Sequence, residues 1–500
     1  MEQGPATTQT TQPKNARSKA SAAWLRYFFS DDLSPANHAT IELQRRAVWV
    51  SVALLLLSPS TLDYTWFNRA LTPVGSIIPI LLTIASFYAL WRAFRPTPRD
   101  AVETYRRQPT RWQRLALLLI LMLAIPGAVL LGRGVALCIL QPQFSNDGTS
   151  LDTNAAILLL EGHNPYSDSS LSALARHFAI QPDWTTPLRQ GQFANRLDYP
   201  SQADFRSVLD TALKSGNAPE FEEKVSYPSL SFLTLVPFVA VGDYNVLPFY
   251  IFCYLAIIFI AWKMARPAIR PWVLVLSMAN VPMWSSAIGG NLDILYVLFL
   301  IVAWLFYTKR WTSALFLGLA VASKQIAWYF VPFYAMMLWR QYGWKEALYR
   351  LTIAGGLALA LNLPFIIWDP HAWLAGVLAP IKDPMFPMGV GIVNMSVAHL
   401  IPYMPDTIYT ILTYIIAMPA MLYCYWRICL KHPEAVMLLA ILPLFFAWRS
   451  LPSYFYCTAF PLYILLVNRL QPRLPSISNK HAQTPPTSPE NKGVATPISA

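Results

Sequence analysis

Two aspartates near residue 150, followed by a polar turn, could carry out acid–base chemistry. Asp147 and Asp152 precede the apolar stretch Asn154–Leu160, which closes at the polar turn Glu161–Tyr166. A carboxylate that is partly buried beneath a folded segment has a raised pKa and can take a proton from a hydroxyl group. Asp152 and Asp147 are therefore catalytic candidates. Two structural alternatives stay open, namely Asp152 as a helix N-cap and Asp147 as a turn residue.

Three basic residues are candidates for binding an anionic group. Lys324 falls between two apolar segments, where a cation is costly unless it is paired or functional. Arg449 and Arg133 are placed near the outer ends of apolar segments. Arginine and lysine side chains bind phosphate well, so all three are candidates for holding a phosphate. The alternatives are pairing of Lys324 with Asp293 and headgroup anchoring by the two arginines.

Further polar side chains at breaks between apolar segments are candidates for contacts with a substrate. They are Asn164, Tyr166, Tyr227, Asn291, Asp293 and Tyr454. An ionisable residue at membrane depth usually marks a functional cavity, which favours a role for Asp293. A structural turn made by Asn291 and Asp293 is the alternative.

Other chemistries fit the sequence poorly. It contains no GxSxG, HExxH or Walker motif, and His163, His177 and His371 do not have the spacing of metal ligands. A single pair of aspartates is thin evidence for a cation site. Metal dependence therefore stays open, with a divalent cation as one alternative and no certain cofactor.

The composition is that of a membrane protein. The chain has 500 residues, of which 55% are hydrophobic and 13% charged, whereas a soluble domain has roughly 25% charged residues. Mean hydropathy is +0.38, and several apolar runs approach the ~20 residues that cross a bilayer. A soluble enzyme and a nucleic-acid-binding domain are excluded. The net charge of +12 is explained by basic cytoplasmic loops.

The hydropathy pattern divides the chain into a membrane domain and two polar tails. We expect a cytoplasmic tail at 1–45 with a short interfacial helix at 23–30, a membrane domain at 46–470 and a disordered cytoplasmic tail at 471–500. No cleavable signal peptide is evident, so the first span is expected to act as an uncleaved anchor.

The membrane domain is predicted to be an all-α polytopic bundle of about 10–13 transmembrane or re-entrant helices. The predicted spans lie near 47–62, 71–91, 115–140, 247–262, 272–288, 291–307, 351–368, 407–427, 433–447 and 453–468. Three further pieces, at 227–242, 312–323 and 325–339, look short or broken, with interruptions at Pro237 and Lys324. Broken helices at membrane depth indicate a site.

One long polar segment interrupts the apolar pattern. Residues 141–226 carry eleven Asp or Glu and six Lys or Arg, whereas 92–114 carries seven Arg. The positive-inside rule therefore places 92–114 in the cytoplasm and 141–226 on the external face. Because Leu171–Ile180 and Phe205–Lys214 are amphipathic, we expect 141–226 to form an ordered external cap, in a multi-pass protein of the plasma membrane.

The order of these motifs resembles that of a known superfamily. The motifs are Asp152, then Gly162-x-Asn164-Pro165-Tyr166, then Tyr227-Pro228-x-Leu230, then Gly290-Asn291-x-Asp293, then Gly318-Leu319-Ala320 with Lys324. From about Leu115 to Val467 the chain resembles the GT-C superfamily of integral-membrane glycosyltransferases. Within it, the chain is most similar to the prokaryotic polyprenyl-phosphate-mannose-dependent α-1,2-mannosyltransferases, and more distantly to the catalytic subunit of the GPI-anchor mannosyltransferase.

The resemblance implies a GT-C fold and a hexosyltransferase activity. Such enzymes move a hexose, here best matched by mannose, from a polyprenyl-phosphate donor to a glycan or lipid acceptor on the outer face, with inversion at the anomeric carbon. The family's key aspartate falls on Asp152, with Asp147 as the reserve, and Lys324 becomes a candidate for the donor phosphate. Ser229 and Asn291 depart from the family's Tyr-Pro-Pro-Leu and Gly-Gln-x-Asp motifs, which leaves the sugar and the acceptor open.

Two other functions remain as alternatives. A polytopic transporter or lipid flippase also has broken helices and an intramembrane charged cavity, although no repeat relates the two halves of this chain. A non-catalytic subunit that binds polyprenyl lipid is the third alternative. Membrane lipid is an expected partner in all three cases, and nucleic acid is not.

Overall fold

The computed structural model describes residues 23–29, 38–62, 74–95, 109–140, 144, 146–177, 185–242 and 244–469. The tails predicted at 1–45 and 471–500 therefore lie outside the described residues, except for 23–29 and 38–45. Within 23–29 a short 3₁₀ helix, Ala23–Tyr27, forms where the sequence predicts an interfacial helix.

The described chain is almost entirely helical. Its first helices are α1 His38–Leu62, α2 Val74–Phe94, α3 Arg111–Leu140, α4 Asp147–Leu160, α5 Leu171–His177, α6 Gln202–Ser215, α7 Leu230–Leu233, α8 Val236–Ala240, α9 Leu247–Met264, α10 Arg270–Ala279 and α11 Val281–Ile288. The later helices are α12 Asp293–Leu305, α13 Arg310–Ser323, α14 Val331–Tyr342, α15 Trp344–Trp368, α16 Pro370–Lys382, α17 Val393–Val397, α18 Asp406–Thr410, α19 Met418–Ile428, α20 Val436–Leu439 and α21 Pro452–Arg469. Short 3₁₀ helices lie at Gly191–Phe193, Pro267–Ile269, Gln325–Phe330, Pro433–Ala435 and Leu442–Phe446.

Two very short strands pair in parallel. Strand β1, Met388–Gly389, lies beside strand β2, Arg449–Ser450, with Met388 opposite Arg449. The pairing joins the segment after α16 to the start of α21.

Five helices among the described residues are long and apolar enough to cross a membrane, and a bent pair of helices adds a sixth. The five are Ile77–Phe94, Arg111–Leu140, Leu247–Met264, Trp344–Trp368 and Asp406–Ile428. The last contains a π-helical segment, Ile411–Ala417, between α18 and α19. The bent pair is α11 and α12, whose axes differ by 119°. The protein is therefore all-helical, with several apolar helices that could span a membrane.

Two predicted spans are interrupted. The apolar run 272–288 divides at Asn280, whose backbone leaves the helical region (φ −79°, ψ 59°) just before Pro282. The run 433–447 forms two 3₁₀ helices around the single turn of α20. Proline lacks the amide hydrogen that an α-helix interior requires, which explains both breaks. The predicted break at Lys324 is found between α13 and the 3₁₀ helix Gln325–Phe330.

The segment after α4 has a small hydrophobic core of its own. Helices α5 and α6 pack around Phe193, Phe205 and Phe221, and Phe386 from beyond α16 completes this core. The backbone hydrogen bond from Leu188 N to Glu220 O (2.7 Å) lies within the segment, and that from Arg189 N to Pro384 O (2.7 Å) joins it to the segment after α16. The described parts of this segment are thus folded, and we refer to residues 185–226 with α5 as the cap.

Candidate functional site

Asp152 lies in the second turn of α4 rather than at its end. Asn146 caps this helix, and its side-chain oxygen accepts a hydrogen bond from Thr149 N at 3.0 Å. Because the N-cap of α4 is Asn146, six residues before Asp152, the interpretation of Asp152 as an N-cap is wrong. Asp147 is the first residue of the helix, and its Oδ2 accepts a hydrogen bond from the Thr186 hydroxyl in the cap.

The Asp152 carboxylate is buried between α4 and α7. Only 1% of the residue is exposed. Its Oδ1 accepts a hydrogen bond from Ser231 Oγ at 2.9 Å, and its Oδ2 has no hydrogen-bond partner among the described residues. A buried carboxylate oxygen without a donor is costly. Asp152 therefore has one oxygen that is held and one that is available to a hydroxyl group.

Burial raises the pKa of Asp152 to about 8. The hydrogen bond from Ser231 and the charge of Lys324 oppose this rise, and the charge of Asp147 adds to it. Desolvation disfavours the charged form of a carboxyl group, so Asp152 has the proton affinity of a general base that operates near neutral pH.

Lys324 and Asp293 form a buried ion pair beside Asp152. Lys324 Nζ lies 2.6 Å from Asp293 Oδ1, with 10% of one side chain and 1% of the other exposed. Lys324 occupies the extended residue between α13 and the next 3₁₀ helix, and Asp293 begins α12 after the 119° bend. Two helix breaks thus supply the two charges. The Lys324 ammonium also lies 4.9 Å from the centre of the Tyr227 ring.

Gly290 joins the bend before α12 to the start of α4. Its backbone has φ +81°, and a Cβ there would lie 2.6 Å from Leu247 Cδ2 and 2.8 Å from Thr149 Cγ2. Its carbonyl accepts hydrogen bonds from the Thr149 hydroxyl and from Asn146 Nδ2 at 3.3 Å. Only glycine combines this backbone conformation with so close an approach. The joint fixes the helix that carries Asp152 against the turn that carries Asp293.

Tyr166 connects the polar turn after α4 to Tyr227. The Tyr166 hydroxyl donates to Tyr227 O at 2.8 Å, and its ring packs against Phe232 and Phe365. Asn164 shapes the turn, since its Oδ1 accepts from Tyr166 N at 3.1 Å. These contacts place the predicted Asn164–Tyr166 motif next to the Tyr227 motif.

The structure brings part of the predicted set together. Asp152, Tyr227, Asp293 and Lys324 form one buried polar cluster, and Tyr454 lies within electrostatic range of Lys324 and Asp293. Asn291 has a local role instead. Its Oδ1 accepts from Asp293 N at 2.8 Å, and its Nδ2 donates to Ser286 Oγ at 2.6 Å, as the structural alternative for this turn predicts.

The two arginines differ in their placement. Arg449 lies close enough to influence Tyr454 electrostatically, and its guanidinium contacts the sulfur atoms of Met385 and Met388. No carboxylate among the described residues pairs with it. Arg133 is exposed on α3 and is not part of the cluster.

Ser231 and Gln325 are site residues that the sequence does not single out. Ser231 holds Asp152, and Gln325 Nε2 donates to Ser226 O and to Val377 O, both at 2.7 Å. Gln325 thereby ties the break at Lys324 to the end of the cap and to α16. A serine inside the apolar run 227–242 and a glutamine directly after Lys324 were the available signals, but both are common in helices that have no special role.

Among the described residues, no three His, Cys, Asp or Glu side chains are grouped so as to hold a metal ion. The structure therefore assigns no ligands to the divalent cation that the sequence leaves open. Comparison of the chain with protein families, with curated proteins and with solved structures gives no match in any of the three.

Proposed function

We propose that this protein is an integral-membrane glycosyltransferase of the GT-C type, which moves a hexose from a polyprenyl-phosphate donor to an acceptor hydroxyl at the external membrane face. The single observation that supports this function best is the Asp152 carboxylate. It is held through Oδ1 by Ser231 at 2.9 Å, leaves Oδ2 without a partner among the described residues, and has a pKa raised to about 8.

The proposed reaction needs a base and a cation on opposite sides of the sugar. Asp152 removes the proton from the acceptor hydroxyl, whose oxygen forms the new bond to the anomeric carbon. The bond to the phosphate breaks, and its electron pair leaves with the lipid phosphate. Attack opposite the leaving group inverts the anomeric centre. A cation near the departing phosphate stabilises the developing negative charge.

Arg449 is better suited than Lys324 to hold the donor phosphate. The charge of Lys324 is compensated by Asp293 at 2.6 Å. Arg449 is half-buried and contacts methionine sulfur atoms, which are weak acceptors, and no carboxylate among the described residues neutralises it. We assign Lys324 to positioning Tyr227 and to the local field, and Arg449 to the phosphate. Arg133 is too exposed to share that role.

The reaction also requires a movement. With 1% of Asp152 exposed, a hydroxyl group reaches Oδ2 only when the contacts between α4 and the short helices α7 and α8 open. Each of these two helices has no more than five residues, so little helical structure has to be displaced.

The proposal is tested with membranes that contain the protein and radiolabelled polyprenyl-phosphate mannose, followed by identification of the labelled product. We expect Asp152→Asn to lower transfer by at least 100-fold, because loss of a general base costs about 10²–10⁴-fold. Asp210→Asn, an exposed carboxylate on α6, is the matched control and should transfer normally. Undiminished transfer by Asp152→Asn would remove Asp152 from the reaction.

A transporter remains the second candidate because of the ion pair at two helix breaks. Broken helices with buried charge are typical of carriers as well. Purified protein in liposomes distinguishes the two functions. Movement of a solute or lipid across the bilayer without formation of a glycosyl product would favour the carrier, and product formation without movement would favour the transferase.

A further inference from the structure

A cleft lies between the cap and α16, and Tyr166 is one of its lining residues. It runs between residues 218–224 and α16 and has a volume of about 480 Å³. Sites for small molecules are typically about 300–1,000 Å³. The cleft is therefore large enough for one or two sugar rings.

The polar lining of the cleft combines acceptors with a donor. Lys224 Nζ lies 2.6 Å from Asp383 Oδ2, and Lys224 N donates to Glu222 Oε1 at 2.9 Å. Glu222 is 2% exposed, and its Oε2 receives no hydrogen bond from a donor among the described residues. The Glu222 carboxyl group shares a hydrogen bond with that of Asp383, which requires a proton on one of the two. The two carboxyl groups thus form one hydrogen-bonding edge of the cleft.

The charge state of Glu222 also suits a neutral ligand. Burial and the neighbouring Asp383 raise the pKa of Glu222, and Lys224 opposes them. A protonated carboxyl group both donates and accepts hydrogen bonds, as a sugar hydroxyl does. The Lys224–Asp383 pair is internally compensated, and Glu223, which also lines the cleft, accepts a hydrogen bond from Leu171 N at 2.8 Å.

The apolar lining consists of aromatic and small side chains. Tyr166 and Phe221 contribute rings, and Ala372 and Ala375 contribute the surface of α16. The α16 helix packs closely against this wall at Gly376. A Cβ on Gly376 would lie 2.5 Å from Val225 O and 2.9 Å from Tyr166 Cδ1. A fixed, partly aromatic wall beside a hydrogen-bonding wall is the usual arrangement in sites for small polar ligands.

Tyr166 connects the cleft to the buried cluster. Its ring lines the cleft, its hydroxyl donates to Tyr227 O at 2.8 Å, and Tyr227 lies beneath Lys324. We infer that the cleft binds a saccharide and that it holds the acceptor glycan while one of its hydroxyl groups reaches the Asp152 cluster. The acceptor role rests on the proposed function, whereas saccharide binding does not.

The inference is tested on the full-length chain in detergent, with α-1,2-mannobiose as the probe and saturation-transfer NMR or calorimetry as the measurement. Ala375→Trp fills the cleft from an exposed position, and Leu374→Trp adds the same ring to the neighbouring exposed position outside the cleft. We expect Ala375→Trp to weaken binding at least tenfold and Leu374→Trp to leave it unchanged.

A second variant tests the cleft independently, in case Ala375→Trp misfolds. Gln190 is exposed and lines the cleft, so Gln190→Ala should fold normally and weaken mannobiose binding several-fold. The inference is overturned if the wild-type protein binds no mannobiose, or if Ala375→Trp and Leu374→Trp bind it equally. Binding of spermidine without any binding of mannobiose would also overturn it, because the cleft would then select cations.

Measurements of mannobiose binding and of sugar transfer distinguish failure of the saccharide site from failure of the proposed function. Mannobiose binding that Ala375→Trp abolishes, in a protein that shows no sugar transfer, would retain the saccharide site and reject the transferase. Sugar transfer whose acceptor KM is the same in Ala375→Trp and Leu374→Trp would retain the transferase and reject the cleft as the acceptor site.

Discussion

Lys324 Nζ and Asp293 Oδ1 lie 2.6 Å apart, although 30 residues separate them in the chain and each stands at a different helix break. Neither break could place its charge in this interior alone, because an isolated buried charge costs several kcal/mol. The pair therefore holds α12 and α13 in one arrangement, and the Lys324 ammonium lies over the Tyr227 ring.

Removal of one partner of this pair should destabilise the protein strongly. We expect Lys324→Met or Asp293→Leu alone to lower the free energy of unfolding by about 3–5 kcal/mol, because each leaves an uncompensated buried charge. The double variant should lose much less free energy of unfolding than the two single variants lose together. Chemical unfolding of the purified protein in detergent, arranged as a double-mutant cycle, measures the coupling. Additive losses would show that the two charges do not depend on each other.

Sugar transfer should rise with pH through the pKa of Asp152. A general base acts in its deprotonated form, and burial raises this pKa to about 8. The groups that face the carboxyl are Ser231, Lys324 and Asp147. We expect kcat/KM to increase about tenfold per pH unit well below pH 8 and to level off above it. A profile that is flat between pH 6 and 9 would contradict this assignment.

The same carboxyl group should make the folded protein less stable as pH rises. The pKa of Asp152 is raised from 3.8 to about 8 on folding, so the folded state binds more protons across that window. Stability then decreases with increasing pH, by up to about 1.4 kcal/mol per unit. Asp152→Asn cannot ionise, so its advantage in stability over the wild type should grow from pH 5 to pH 8. Thermal unfolding at both pH values tests this, and parallel changes in the two proteins would contradict it.

Gly290→Ala should disrupt the joint between α4 and α12. The substitution forces a side chain into φ +81° and within 2.6 Å of Leu247 Cδ2. Such strain typically costs about 1–3 kcal/mol. Gly355→Ala is the control, because Gly355 lies inside α15 with nothing within 4 Å of its would-be Cβ. Alanine there should stabilise the helix by up to about 1 kcal/mol. Melting temperatures of both variants decide the comparison.

The sequence predicts the helical class and several local features because these depend on short-range chemistry. Composition indicates helices that could span a membrane, and Lys324 marks a break that the structure contains. The amphipathic segment predicted at Phe205–Lys214 becomes α6. Ser201 is the N-cap residue of this helix, and Gly216 ends it in a left-handed conformation. Each of these signals lies within a few residues of the feature that it predicts.

The remainder of the site depends on contacts between distant segments. Ser231 reaches Asp152 across 79 residues, and Gln325 reaches Ser226 across 99. A serine or glutamine in an apolar run gives no indication of such a partner. The N-cap alternative for Asp152 is wrong for a different, local reason, since Asn146 starts the helix earlier than the apolar pattern indicates.

The π-helical segment Ile411–Ala417 has a consequence for how this chain tolerates insertions and deletions. A π turn contains one residue more than an α turn, and each residue of an α-helix turns the following ones by about 100°. Within the segment, the Tyr414 hydroxyl is hydrogen-bonded to the Tyr329 hydroxyl at 2.6 Å. After the segment, the buried Tyr425 hydroxyl donates to Pro433 O at 2.9 Å. A chain shortened by one residue between these tyrosines would rotate one relative to the other and could keep only one of the two anchors.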